Sequence, residues 1–334
     1  MLPPNAPPEP ALERFRPALE GLTGRAPDAA SPLGLAVSGG PDSLALLLLA
    51  ADAYGPSALR VATVDHGLRP AARQEAGFVA NLCAGRGIPH ATLADPDGGA
   101  PGAGGVQAWA RALRYRLLGN WAERHGIGHV ATAHHADDQA ETFLMRAVRG
   151  AGVSGLAGIR ACEPGLLGGG ATIVRPLLGW RRAELVALVS AAAIEAVDDP
   201  ANRDPAHDRT AFRALIRDTP RLDAAGLAAA AAHAADAAAA LDWSVEALWT
   251  QRARLEKGRV TLEIAGLPRE YRRRMVDRAI LSLRPEARPR GPEIDRLIAA
   301  LAAGGTATLA GVKAQGGAVW HFELAPPRRI AGSP

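Results

Sequence analysis

The stretch GLAVSGGPDSLALLLLA at residues 34–50 runs from a short apolar segment, through a glycine-proline loop, into a longer apolar segment. It implies strand, tight loop and helix, with Ser38, Gly39, Gly40, Pro41, Asp42 and Ser43 in the loop. Glycines let a backbone approach a phosphate closely, and a following helix offers unpaired N–H groups and a partial positive charge. Ser38 and Ser43 add hydroxyl donors. The lysine of the GxxxxGK(S/T) pattern is missing, so this is not the loop that cradles a transferring γ-phosphate. Asp42 is informative, because a carboxylate beside polyphosphate makes sense mainly through a bridging Mg2+. A Gly-Pro turn capped by Ser or Asp at a helix start is the plainer alternative, and spacing alone leaves both open.

Outward from this stretch the same alternation repeats. RVATV at 60–64 ends in Asp65-His66-Gly67, and HATLA at 90–94 leads into a loop of Gly, Pro and Asp. AWARALRYRLLGNWAERHG at 108–126 has helical spacing; HVATA at 129–133 then opens into HHADDQ before a further helix. Strands alternating with helices predict an α/β fold with a doubly wound parallel sheet. In such sheets ligands bind beyond the carboxyl ends of the strands. The polar clusters 38–43, 65–69 and 134–138 each follow an apolar run and are therefore expected at one edge of one sheet. GLLGGG at 165–170 reads as a surface turn and RRAELVALVSAAAI at 181–194 as another helix.

Residues 1–30, Pro-rich and without evident periodicity, read as a flexible extension. The main domain is placed at 31–216. An Ala-rich helical linker follows at 217–250, Ala having the best helix propensity, and a small helical or α+β domain at 251–334. The last segment offers strand-like RVTLEI, the basic helix PREYRRRMVDRAILSL and a β tail ending AVWHFEL.

At 334 residues the chain can bury a sizeable core, and 48% hydrophobic with 22% charged residues is ordinary for a soluble protein. No apolar run reaches the ~18 residues of a membrane span, and the N-terminus lacks a signal-peptide pattern. Cys83 and Cys162 stand far apart, which excludes a disulfide framework, a zinc knuckle and a CxxC pair. A cytoplasmic protein away from membranes is expected. The net charge of +4 is unevenly spread: residues 216–334 hold 18 basic against 13 acidic residues, nearly all of the basic ones arginine. Arginine suits phosphate recognition, which makes this half compatible with nucleic acid; codon bias toward arginine and a solvated surface account for it equally well.

HHADDQAET at 134–142 carries the second chemical signal. On a helix starting near 136, Asp138 and Glu141 lie three apart and share a face, well suited to a cationic ligand such as the ammonium of lysine. A metal site at His134, His135 and Asp137 is the rival, weakened because adjacent histidines in a strand point to opposite faces. The histidines suit helix-cap or phosphate contacts better. Asp65 and His66 stand at a strand end, and Arg111, Arg114 and Tyr115 on a helix; bare spacing makes Arg111 part of a solvated face.

SGGPDS resembles the pyrophosphate-binding loop of the N-type ATP pyrophosphatases, the PP-loop superfamily. VDHGLR (64–69), GIPH (87–90), ARALRYRLL (110–118), HHADDQAET, RGAGVSGLAGI (149–159), RPLLGWRRAEL (175–185) and DDPANRD (198–204) follow in order. Together they resemble the tRNA(Ile)-lysidine synthetase family over about residues 33–217. The resemblance implies adenylation of a wobble cytidine in isoleucine tRNA with a CAU anticodon, then attack by free L-lysine. ATP and Mg2+ would be the cofactors. It places ATP on residues 38–43 with Asp65 and His66, Mg2+ partly on Asp42, and lysine on Arg114, Asp138 and Glu141. Asp42 and Asp138 would be the catalytic residues, and Arg209, Arg213, Arg272 and Arg273 contacts to tRNA. It leaves room for a homodimer. The family's R-x-R-x-R arrangement is broken here, with Ala211 at the middle place, and ADPDGG at 94–99 is more polar than expected. Some members carry a further C-terminal domain for which this length leaves little space.

Sulfur insertion into tRNA by the same adenylation would need cysteine chemistry that unpaired Cys83 and Cys162 do not suggest. Adenylation of a small metabolite would need no arginine-rich second domain. A non-catalytic RNA-binding module would not require Asp42, Asp138 and Glu141 together.

Overall fold

The structure, a computed structural model, describes residues 7–67, 71–95, 105–197 and 208–326. The DDPANRD motif and most of ADPDGG lie outside the described residues. The chain divides into two compact units, Met1–Ala235 and Asp236–Pro334.

The first unit opens with α1 (Glu9–Thr23), whose Leu12, Phe15 and Leu19 are buried in the main core. The expected flexible extension is therefore corrected over these residues. Leu12, Phe15 and Leu19 do follow helical spacing, and prolines at 8, 10 and 17 obscure it in the sequence. Arg14 bonds Glu184 at 2.7 Å and lies over the Trp180 ring at 4.2 Å, and Tyr54 donates to Glu20 at 3.1 Å, so the helix is tied down at both ends.

Next come β1 (Leu33–Ala36), α2 (Pro41–Tyr54), β2 (Leu59–Asp65), α3 (Ala71–Gly85), β3 (His90–Ala94), α4 (Val106–Arg124) and β4 (His129–Ala131). After them run α5 (Ala136–Ala147), α6 (Val153–Leu156), β5 (Cys162–Pro164), β6 (Thr172–Val174), α7 (Arg182–Ala191) and α8 (Asp208–Asp218). The sheet order is β3-β2-β1-β4-β6-β5, parallel throughout except for β5 against β6. Leu35, Val61 and Ala131 point to the core formed with α1, α2, α3 and α7, whereas Ala62, Val130 and Ile173 face α4. This is the doubly wound α/β arrangement expected from the sequence. The chain winds outward from β1 in one direction through β3 and returns to its other side at β4. The switch point thus lies between β1 and β4, where a ligand crevice forms. The 165–170 turn is less superficial than its composition suggests: Leu167 is buried against α4, and Gly119 leaves room there that any Cβ would fill.

α9 (Ala224–Arg252) begins at the Asp223 cap, whose carboxylate accepts from the N–H groups of Ala225 and Gly226 at 3.2 and 2.9 Å. The division between the units falls inside this helix. Among the described residues it is the one helix long and apolar enough to cross a membrane by length and composition, a property not anticipated from uninterrupted apolar runs. Its apolarity is alanine's, and Asp242 and Glu246 in its second half are ion-paired to Arg274 and Arg278.

The second unit adds β7 (Ala253–Glu256), β8 (Arg259–Leu262), α10 (Arg269–Leu283), α11 (Gly291–Ala302), β9 (Thr306–Leu309), β10 (Val312–Gln315) and β11 (Trp320–Leu324). An antiparallel sheet of order β7-β8-β11-β10-β9 packs Val260, Leu262, Trp320 and Phe322 against Met275, Ile280, Leu297 and Leu301 of α10 and α11.

Candidate active site

The loop after β1 turns on Gly39, at φ +89°, and its carbonyl accepts from Val197 N–H at 3.0 Å. A side chain there would be strained. Ser43 Oγ accepts from Ser38 N–H at 3.1 Å and donates to the Gly40 carbonyl at 2.9 Å, which locks the loop onto the first turn of α2. That turn begins with Pro41, so the loss of one N–H costs nothing, and its remaining N–H groups point beyond β1.

A cleft of about 590 Å³ opens over this loop. Ala36, Ala62, Val64, Tyr115 and Leu118 form an apolar wall. Ser38, Gly40, Pro41, Asp42, Ser43, Thr132, His134 and Asp138 form a polar one, and His66, Arg114, Arg182 and Arg209 also line the cavity. The three expected polar clusters do converge. Asp65 does not line the cleft; its carboxylate accepts from Gly67 N–H at 2.9 Å and shapes the turn that presents His66. His66 Nε2 lies 3.3 Å from Arg114, and burial and that guanidinium both lower its pKa.

His135 caps α5 in a reciprocal box: its Nδ1 accepts from Asp138 N–H at 3.4 Å while Asp138 Oδ2 accepts from His135 N–H at 3.1 Å. Its Nε2 lies 3.6 Å from Asp42 Oδ2 and 3.5 Å from Asp138 Oδ2. Burial disfavours the imidazolium, but the carboxylates of Asp42, Asp138 and Asp137 outweigh it and raise the His135 pKa. His134 is the opposite case. Burial pushes it down to about 4, and the neutral ring hydrogen-bonds Thr132 Oγ1 at 2.9 Å. Asp137 lies 3.7 Å from His135 Nδ1 but takes its hydrogen bonds from Arg181 Nε and Nη2 at 3.2 and 3.1 Å and Arg182 N–H at 2.8 Å. Burial would raise its pKa; these donors overcome that and lower it. His135 thus serves as the cap of α5 and His134 as the partner of Thr132; among the described residues no three His, Cys, Asp or Glu side chains are grouped so as to hold a metal ion.

Asp138 and Glu141 share a face of α5 but meet different surroundings. Asp138 lines the cleft, whereas Glu141, 2% exposed, lies one turn deeper and forms a forked pair with Arg213 of α8 at 2.6 and 3.4 Å. Burial raises the Glu141 pKa against the pull of that guanidinium. Arg213 is therefore engaged inside the fold, while Arg209, one turn earlier on α8, reaches the cleft and lies 3.4 Å from Thr142 Oγ1. The RGAGVSGLAGI motif is held by Arg146, donating to the Gly155 and Gly158 carbonyls at 2.8 and 2.7 Å, and by Gln139, which brackets Ile159. Gly158, at φ +67°, has no space for a Cβ beside Gln139. Arg272 and Arg273 stand on α10 in the second unit; Arg273 Nε lies 3.4 Å from Asp295. Sequence reasoning passed over Arg182, although it falls within the RPLLGWRRAEL motif.

Residues 14–219 match the PP-loop domain family, in keeping with the open, mostly parallel sheet and the glycine loop that opens the cleft at its switch point. The chain is 47% identical to a tRNA(Ile)-lysidine synthase of Novosphingobium aromaticivorans, covering 96% of this chain and 95% of that one. It is 42% identical to the one of Zymomonas mobilis, covering 96% of each. A U34-tRNA thiolase from Methanococcus maripaludis with its 4Fe-4S cluster shares the fold at a TM-score of 0.53, with 15% identity over 67% of this chain and 78% of that one. The chain belongs to the tRNA(Ile)-lysidine synthase family, ATP-using ligases that modify tRNA.

Proposed function

We propose that this chain ligates lysine to the wobble cytidine of an isoleucine tRNA with a CAU anticodon, through an adenylated tRNA. The products would be lysidine, AMP and pyrophosphate, and decoding and charging would change from methionine to isoleucine. The observation that carries it is the meeting, in one cleft, of the 38–43 loop, the cleft-lining Asp138 carboxylate and the apolar wall of Ala36, Ala62 and Val64.

The triphosphate rests on residues 38–43 and the adenosine on the apolar wall and the Asp65–His66 turn. The cytidine ring oxygen attacks the α-phosphorus; the new P–O bond forms as the bond to the bridging oxygen breaks and pyrophosphate departs. Loop and helix N–H groups stabilise its charge without reorganising. The amine of lysine then attacks the activated ring carbon, a C–N bond forms, the C–O bond to AMP breaks, and one proton leaves the amine. Before that attack Asp138 holds the ammonium and takes one proton from it, which frees the lone pair; the proton lost as the C–N bond forms passes to water, and Arg114 binds the lysine carboxylate. Glu141 supports Asp138 from behind, by fixing α8 through its forked pair with Arg213, rather than by touching lysine directly. Mg2+, when bound, would neutralise charge on the departing pyrophosphate. Asp42 fits that ion, since its buried Oδ1 lacks a hydrogen-bond partner; the phosphates and water would complete the shell. Arg209, Arg213, Arg272 and Arg273 are assigned to tRNA, Arg213 by placing α8. A homodimer and a cytoplasmic location complete the proposal. Sulfur transfer is disfavoured because neither Cys83, buried, nor Cys162, at the sheet edge, lines the cleft.

The test is incorporation of labelled lysine into an isoleucine tRNA transcript bearing CAU, with ATP and Mg2+, beside elongator methionine tRNA. Labelling of the first alone is expected. Pyrophosphate release without labelling would keep adenylation and remove lysine as nucleophile.

A further inference from the structure

Asp137 fixes the start of α7 to the start of α5: it accepts from the Arg182 N–H at 2.8 Å and holds the Arg181 guanidinium through both oxygens. The backbone at 181–182 is thereby set, and the Arg182 side chain extends over the loop after β1 as part of the cleft lining. Its Nε stands 3.7 Å from Asp42 Oδ1, the oxygen that has no hydrogen-bond partner. This is ion-pair distance but longer than a hydrogen bond. The side chain remains 45% exposed, so it can swing toward an incoming anion without disrupting packed neighbours.

We propose that Arg182 is a catalytic residue that binds the β- and γ-phosphates of ATP and the departing pyrophosphate. It rests against Asp42 when the cleft is empty and turns to the phosphates when Asp42 takes up a cation. A planar guanidinium can hold two phosphate oxygens at once. From the α7 side it faces the loop N–H groups, so the leaving group is gripped on two sides as its charge develops. The inference rests on the ATP-using reading of the cleft but not on the identity of the nucleophile.

Its test is a binding ladder on the full chain with Mg2+, without tRNA or lysine. Calorimetry compares AMP, ATP and inorganic pyrophosphate on the wild type, Arg182→Ala and Arg182→Lys. Arg182→Ala should weaken ATP and pyrophosphate by about 10- to 100-fold, the scale of a charge-assisted hydrogen-bond pair. AMP affinity and melting temperature should stay at wild-type values, and Arg182→Lys should recover part of the loss. Equal pyrophosphate affinity in Arg182→Ala and wild type would overturn the assignment, as would a parallel loss of AMP. If wild-type protein binds this ladder as expected yet ligates no lysine, the proposed nucleophile fails while the Arg182 assignment stands.

Discussion

In the first unit Asp42, Asp138, Arg114, Arg182 and Arg209 converge on an open cleft, whereas in the second Arg269, Arg273, Arg274 and Arg278 of α10 turn onto acids of their own unit. Arg274 bonds Glu270 at 2.9 Å and Asp242, Arg278 forks onto Glu246 and lies 4.7 Å over the Trp249 ring, and Arg259 meets Glu323 at 2.7 Å. A basic excess counted along a sequence is thus not a basic surface, because much of it neutralises neighbouring carboxylates. Asp42 Oδ1 lacks a hydrogen bond, as Arg272 Nε, Arg273 Nε and Asp295 Oδ1 do in the second unit, but Asp42 lines a cavity in which a ligand can complete it.

The contrast can be broken or sharpened by substitution. Asp42→Ala should lower kcat/KM for lysine incorporation by about 10³-fold, the scale of losing a main electrostatic contact in a transition state, with little change in melting temperature. A marked fall in stability instead would mean that Asp42 is structural. Asp138→Asn should raise the KM for lysine by about 10- to 100-fold while tRNA-dependent pyrophosphate release persists, as expected for a lost charge-assisted contact. Glu141→Gln should act on the fold, lowering stability by about 1–3 kcal/mol because it leaves the Arg213 guanidinium poorly paired. Urea titration separates the two.

Asp137 gives a pH signature. Its pKa is lowered on folding, so its contribution is present above the unfolded value of about 3.9 and is lost as pH falls through the folded value. Asp137→Asn should therefore be less stable than wild type by about 1–2 kcal/mol near pH 7, a gap that closes at acid pH. Thermal melts across pH would show a constant gap if the side chain did not titrate on folding. The smallest effect belongs to the second unit. Replacing Arg272 and Arg273 by Ala should raise the KM for tRNA a few-fold and flatten its salt dependence by about one unit of slope per lost phosphate contact. Arg278→Ala should leave both unchanged.

Much of this was readable in the chain. Short apolar runs ending at Val37, Val64 and Ala133 place the strand ends to within two residues of Ala36, Asp65 and Ala131, and the polar residues after each must meet once the strands are parallel neighbours. The capping histidine and the acids of α5 follow from local spacing. α1 was hidden because Pro17 sits within a helix that tertiary packing of Phe15 stabilises regardless. The capture of Glu141 by Arg213, 72 residues away, depends on how α8 docks on α5, which no local pattern encodes. Arg182 was missed because its role comes from a backbone position set by Asp137, not from its immediate neighbours.

The central proposal is that this cleft joins adenylate to tRNA before lysine attacks. The direct measurement incubates ATP labelled in the α-phosphate with CAU-bearing isoleucine tRNA transcript, Mg2+ and protein, with lysine withheld. Label covalently attached to the tRNA is predicted, absent with Asp42→Ala and released as AMP when lysine is added. Lysine incorporation in the full reaction, with no label ever retained on the tRNA under these conditions, would contradict the account.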